Sequence, residues 1–107
     1  MAKKNYKALL KNITTLIFDI DGVLTDSTLL VTTKGELLRK MHSRDGYALR
    51  AAVEAGLNVC IISGGQNEGV RKRLEGLGVK NIILGAHNKV EHYHQILEKY
   101  KLTSAEV

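Results

Sequence analysis

The sequence predicts an α/β fold, a doubly wound parallel sheet, and three observations predict it. Apolar, β-branched runs recur at residues 13–20, 57–62 and 81–84; segments of helical period lie between and after them; and Gly56 and Gly78 stand where those segments must stop. Short continuous apolar runs suit strands buried on both faces. Strands joined through helices pair in parallel, with right-handed crossovers that place helices on the sheet faces.

Each element follows from its residues. Residues 3–12 carry Tyr6, Leu9 and Leu10, with Ile13 beyond, at helical spacing, so a short basic helix or tail is expected to pack on the body. Residues 13–20 read as the first parallel strand, delivering Asp19 and Asp21 at its C-terminal end. Thr28 to Thr32 and Glu36 to Met41 flank Thr33-Lys34-Gly35, which predicts a β-hairpin over residues 27–42, inserted after that strand. Residues 44–55 form a helix ending at Gly56, and residues 57–62 return to a buried strand. Residues 67–77 form the next helix, ending at Gly78; residues 81–84 are a short strand, and residues 89–100 a helix with Val90, Tyr93, Ile96 and Leu97 on one side. The 107 residues are expected to form a single domain.

Composition narrows the function classes. With 44% apolar and 25% charged residues the chain is an ordinary globular one. No apolar run approaches the roughly 18 residues of a membrane span, and the lysine-rich start has no signal-like apolar region, so no membrane is expected and the cytoplasm is the expected compartment. The net charge of +5 comes mostly from Lys3, Lys4, Lys7 and Lys11, which leaves the body nearly neutral. One Phe, four Tyr and no Trp offer little for base stacking, so no nucleic-acid partner is expected. Cys60, the single cysteine, lies inside Val59-Cys60-Ile61-Ile62 and reads as a small buried hydrophobe.

The chemistry concentrates in Asp19-Ile20-Asp21-Gly22. Two carboxylates two residues apart at a strand end can approach one centre, and they repel unless a cation or a proton lies between them. That invites Mg²⁺, which takes hard oxygen ligands and keeps several waters. Gly22 lets the backbone approach a phosphate, and Thr25 can hydrogen-bond within the loop. The same four residues would also suit an exposed Asp-Gly turn. Ser63-Gly64-Gly65, after the strand at 57–62, is either a plain strand-to-helix turn or an anion site at a helix start.

The full run Asp19-Ile20-Asp21-Gly22-Val23-Leu24-Thr25-Asp26, preceded by an apolar strand, resembles the nucleophile loop of the haloacid dehalogenase superfamily. The resemblance implies that Asp19 attacks phosphorus to form an aspartyl-phosphate, and that Asp21 protonates the leaving alkoxide and then activates water. It implies Mg²⁺ held by the Asp19 carboxylate and the Asp21 backbone carbonyl. Ser63 matches the second motif, a phosphate-binding hydroxyl, and Lys89 the third, a cation that neutralises phosphate and restrains the nucleophile.

Within the superfamily the chain resembles the 3-deoxy-D-manno-octulosonate 8-phosphate phosphatases, a small capless branch whose hairpin follows the first motif. Thr25-Asp26, the hairpin, Arg44-Asp45-Gly46-Tyr47, Arg50, Ser63-Gly64, Arg73, Leu77-Gly78 and Asn88-Lys89 stand in the branch's order. The resemblance implies hydrolysis of that sugar-acid phosphate, in lipopolysaccharide precursor synthesis, by a homotetramer joined through the hairpin. It also implies a substrate site lined by Asp21, His42, Ser43, Arg44, Asp45, Gly46, Arg50, Gly65, Arg73 and Lys89. At Gly65 the branch commonly has Arg, so a related nine-carbon sugar-acid phosphate is a second expectation. A fourth, acidic motif belongs to the family and is not found here, so the chain is expected to be incomplete at its C-terminus. The alternative to an enzyme is a non-catalytic phosphate-binding or assembly module.

Overall fold

The computed structural model describes residues 6–107. In chain order its elements are helix α1 (Tyr6–Leu10), strands β1 (Thr15–Phe18), β2 (Leu30–Val31) and β3 (Leu37–Leu38), helix α2 (Ser43–Glu54), strand β4 (Asn58–Ile62), helix α3 (Glu68–Gly76), strand β5 (Asn81–Ile83) and helix α4 (Lys89–Tyr100), followed by a 3₁₀ turn at Ser104–Glu106. The order and type are those the sequence predicts. The strands are shorter, because turns take up their ends: the N–H groups of Val23, Leu24 and Thr25 all donate to the Ile20 carbonyl, so the chain is already coiling where a longer β1 was expected.

Two sheets result. The main one is parallel, ordered β1-β4-β5, and the second is the antiparallel pair β2-β3, with Leu30 opposite Leu38 and Val31 opposite Leu37. In the main sheet Phe18 lies opposite Ile61 and Ile62 opposite Ile83. Strands in that register end nearly level, which brings the residues after β1 beside those after β4.

Alternation along β4 builds two cores. Val59 and Ile61 point to the face where Leu49 of α2 and Val70 and Leu74 of α3 pack, with Leu77 and Val79 beyond. Cys60 and Ile62 point to the other face, against Ile96 and Tyr93 of α4. Helices therefore cover both faces, as a doubly wound sheet requires. Cys60 is fully buried, and burial pushes its thiol above the ordinary range, so it behaves as the small hydrophobe its neighbours suggested. Two expectations need correction. Leu16, Ile17 and Phe18 of β1, an edge strand among the described residues, are only half-buried rather than buried on both faces. Along that edge, Thr14 N–H donates to the Glu106 carbonyl at 2.9 Å, which docks the final turn. Within the described residues the basic N-terminal helix is α1, whose Tyr6, Leu9 and Leu10 stay exposed instead of packing on the body; Lys3 and Lys4 lie outside the described residues.

The helix starts are set by side chains. Asn67 Oδ1 accepts from Val70 N–H and Asn88 Oδ1 from Glu91 N–H, each satisfying a donor that the first helical turn leaves open. α2 is capped less conventionally, by His42 Nδ1 accepting from Arg44 N–H at 3.0 Å. No helix of the described residues is long and apolar enough to cross a membrane.

Candidate active site

The site forms where β1, β4 and β5 end, at the carboxyl edge of the parallel sheet where such folds bind ligands. After β1 the loop is clamped from within. Thr25 Oγ1 accepts from Gly22 and Ser27 N–H, each at 3.3 Å, and donates to the Ile20 carbonyl, while Gly22 takes φ +82°, a conformation glycine adopts without steric cost. Asp19 and Asp21 therefore project from a fixed turn.

Asp19 is gripped from three sides. Ile20 N–H donates to its Oδ1 at 2.7 Å, and Lys89 Nζ, from the first residue of α4, donates to its Oδ2 at 2.8 Å. Ser63, 2% exposed just past β4, lies near the same carboxylate, and its Oγ accepts from Gly65 N–H at 3.3 Å. Partial burial pushes the Asp19 carboxyl up. The Lys89 hydrogen bond, the Ile20 N–H, the Lys89 charge and the Ser63 hydroxyl together outweigh it and hold the group below its ordinary value. Asp19 is thus an ionised carboxylate at neutral pH.

The lowered value has a consequence for stability. A carboxyl whose folded value lies below the unfolded one stabilises the fold fully above the unfolded value of 3.8, and that contribution is lost as pH falls through the folded value. Lys89→Met removes the main cause of the lowering. The acid unfolding midpoint of that variant, followed by circular dichroism, is expected to move to higher pH, by a small amount because the pair is partly exposed. An unchanged midpoint would mean that solvent screens the pair completely.

Asp21 has a different neighbour. Arg39, just past β3, places Nε and Nη2 on its two carboxylate oxygens, each at 3.3 Å. On the far side of the loop, a cavity of about 450 Å³ is lined by Thr25, Asp26, Lys40, His42, Arg44 and Asp45, among others. On the other side of Asp19 and Lys89, a shallower apolar groove of about 270 Å³ runs past Phe18, Val90 and Tyr93.

The structure brings Ser63 and Lys89 each against Asp19 and leaves Asp21 beside Ser63 and Gly65, lining one small recess with Arg39. His42, Arg44 and Asp45 gather at the larger cavity, Ser43 opens α2 next to them, and Gly46 is buried one residue further on. The two remaining arginines lie between α2 and α3. Arg50 pairs with Glu54 at 3.0 Å and donates to the Gly76 carbonyl at the end of α3. Arg73 lies across α2, so close that a Cβ on Gly46 would stand 2.6 Å from its Nη2. Sequence reasoning missed Arg39 and Asn67. Arg39 sits in a hairpin strand end where an exposed charge is unremarkable; Asn67, just before a helix, carried the signal of an N-cap.

An ionised aspartate past a strand end, a second aspartate two residues on, a buried hydroxyl after the adjacent strand and a lysine at a following helix start define a class. The chain belongs to the haloacid dehalogenase superfamily; a protein of Legionella pneumophila assigned to that superfamily, subfamily III A, superposes with a TM-score of 0.87 at 34% identity, covering 92% of this chain and 54% of that one. Within the superfamily the chain is similar to 3-deoxy-D-manno-octulosonate 8-phosphate phosphatase KdsC of Escherichia coli strain K12, with 35% identity over 97 residues, 91% of this chain and 52% of that protein. The phosphatase of the same name from Moraxella catarrhalis, solved in complex with a magnesium ion, a phosphate ion and a KDO molecule, superposes at TM-score 0.87 and 25% identity, covering 92% of this chain and 57% of that one. The chain spans about half the length of the curated relatives it matches. No family model matches it.

Proposed function

We propose that the site is that of a magnesium-dependent phosphomonoesterase acting on a sugar-acid phosphate, with 3-deoxy-D-manno-octulosonate 8-phosphate as substrate. The observation that carries the reading is the 2.8 Å Lys89–Asp19 pair, which sets a cation and an ionised nucleophile together against buried Ser63 at two adjacent strand ends. In the first step an Asp19 oxygen forms a bond to phosphorus as the bond from phosphorus to the sugar oxygen breaks, and a proton from the Asp21 carboxyl passes to that oxygen. In the second, water attacks the phosphorus of the aspartyl-phosphate and gives its proton to Asp21. Phosphate leaves, and the Asp19 carboxylate is restored. Ser63 and Lys89 bind phosphate oxygens through both steps. The sugar acid fits the cavity beside His42, Arg44 and Asp45, which are polar and charged groups of the kind its hydroxyls and carboxylate need.

The donor chemistry suits magnesium. The Asp19 carboxylate and the Asp21 backbone carbonyl are hard oxygens on one turn, and Mg²⁺ commonly binds through one or two carboxylates with water and substrate phosphate completing its shell. Among the described residues no group of three His, Cys, Asp or Glu side chains gathers. Bound there, the metal would neutralise charge on the transferring phosphoryl group. The Moraxella relative, with its magnesium, phosphate and KDO, supports this reading. The hairpin supports assembly: Leu29, Leu30, Val31, Leu37 and Leu38 are all exposed on a two-stranded ribbon, and such a ribbon is marginal until it packs on something. We assign it to the subunit contact of a homotetramer.

The test is phosphate release from 3-deoxy-D-manno-octulosonate 8-phosphate and from a nine-carbon sugar-acid phosphate, with magnesium and with excess EDTA. Release that requires magnesium and favours the eight-carbon substrate is expected. Phosphate bound without turnover of either compound would overturn the enzyme reading and make the chain a phosphate-binding module.

A further inference from the structure

Arg39 is 18 residues away from Asp21 in the chain, yet its side chain is 9% exposed and spent on two targets. Nε and Nη2 reach Asp21 Oδ1 and Oδ2, and Nη1 donates to the Leu37 carbonyl at 3.0 Å. The guanidinium fork thus meets a carboxylate on both oxygens, the arrangement that fixes orientation as well as charge. Gly65 makes room for it. A Cβ at that position would stand 3.0 Å from Arg39 Nη2 and 3.8 Å from Asp21 Oδ2, so Gly65 is the floor under the pair. The Leu37 carbonyl also accepts from Asn67 Nδ2 at 2.8 Å, which ties β3 to the turn that carries Ser63 and Gly65.

We propose that Arg39 is the positioning residue of Asp21, holding its carboxyl group in one rotamer and coupling the hairpin to the proton-transfer step. The inference rests on the reading of Asp21 as proton carrier. A long flexible side chain gives up about 2 kcal/mol of rotamer freedom when it is frozen, so an Arg held nearly buried on one short carboxylate restricts that carboxylate in turn. Asp21 still has an oxygen to work with. When Oδ2 carries the proton, Oδ1 continues to accept from Nε, and the proton on Oδ2 is free to pass to the leaving oxygen. The same grip serves the second step, in which Asp21 receives a proton from water. The Nη1–H bond to the Leu37 carbonyl also fixes the guanidinium to β3, so a displacement of the hairpin is felt at Asp21.

The leaving group separates positioning from phosphate binding. An alkyl phosphate needs a proton on its departing oxygen, whereas p-nitrophenolate departs without one, and kcat/KM reports the steps through P–O cleavage. In the magnesium-loaded protein, Arg39→Ala is expected to lower kcat/KM for the sugar phosphate by about 10- to 100-fold, a share of the 10²- to 10⁴-fold typical of acid–base catalysis, and that for p-nitrophenyl phosphate by less than about 3-fold. Arg39→Lys, which keeps the charge but loses the fork, is expected to fall between. Equal losses on both substrates, or a raised KM with kcat unchanged on both, would overturn the inference in favour of phosphate binding. Asp21→Asn distinguishes the two readings. If it shows the selective loss and Arg39→Ala does not, positioning fails alone; if it shows none, the proton-carrier role fails. Independently of turnover, the Nε–H resonance of Arg39 is expected to be slow to exchange in the parent and fast in Asp21→Asn, and fast exchange in both would also sink the proposal.

Discussion

Asp19→Asn is expected to abolish turnover, by on the order of 10³-fold or more, while the protein stays folded. The amide is nearly the size of the carboxylate, and its oxygen can still accept from Ile20 N–H or from Lys89 Nζ, the two groups that hold Asp19 now. It lacks the charge and the nucleophilic oxygen needed to make an aspartyl-phosphate. Lys89 loses its counter-charge, but both side chains are partly exposed, and such pairs contribute between 0 and about 1 kcal/mol, so the urea midpoint should move little. The measurement is phosphate release together with capture of the phosphorylated protein after acid quench. Turnover within about tenfold of the parent, or an aspartyl-phosphate still formed, would remove Asp19 from the nucleophile's place.

The largest stability effect is expected at Leu74, not at the site. Leu74 is fully buried where α3 meets β4, in the cluster with Leu49, Val59, Ile61 and Val70. Leu74→Ala removes its apolar area and leaves a cavity that the three-stranded sheet can only partly close, which costs about 2–5 kcal/mol. Domains of this size unfold with about 5–15 kcal/mol, so the variant should lose a large fraction of its stability. Urea denaturation measures it as a fall in the midpoint with an unchanged slope. A loss under about 1 kcal/mol would mean that the core relaxes around the gap, contrary to its close packing. Tyr47, 79% exposed on α2, is the natural contrast: its truncation should change the midpoint little.

These expectations draw differently on sequence and structure. Helix α4 has the boundaries its sequence predicts, residues 89–100, because an Asn precedes it, its apolar residues keep helical spacing, and the chain turns left-handed at Lys101. α3 was equally legible from Asn67 and Gly78. The Asp19 loop was legible too, since an apolar run ending in Asp-x-Asp-Gly is a local pattern and Thr25 closes it from five residues away. The burial of β1 was harder. Its apolar composition suggests cover on both faces, but how far a strand is covered depends on what segments far apart in the chain bring against it. The failure of α1 to pack has the same cause: helical spacing creates an apolar side without specifying what receives it.

The arginines show the division most clearly. Their number and their presence near the motifs are visible in the sequence, and charge of that kind suits a phosphate ester. Arg50 and Arg73 turn out to bridge α2 and α3, while Arg39, unremarkable at a strand end, closes on Asp21 over the bare backbone of Gly65. Local rules of period, capping and turn chemistry act over a few residues, so the sequence by itself determined the order of elements and placed Asp19, Asp21, Ser63 and Lys89 at their ends. The partner of a long, flexible cation is chosen by distances and clearances between segments 18 to 70 residues apart, and only the tertiary structure decided those.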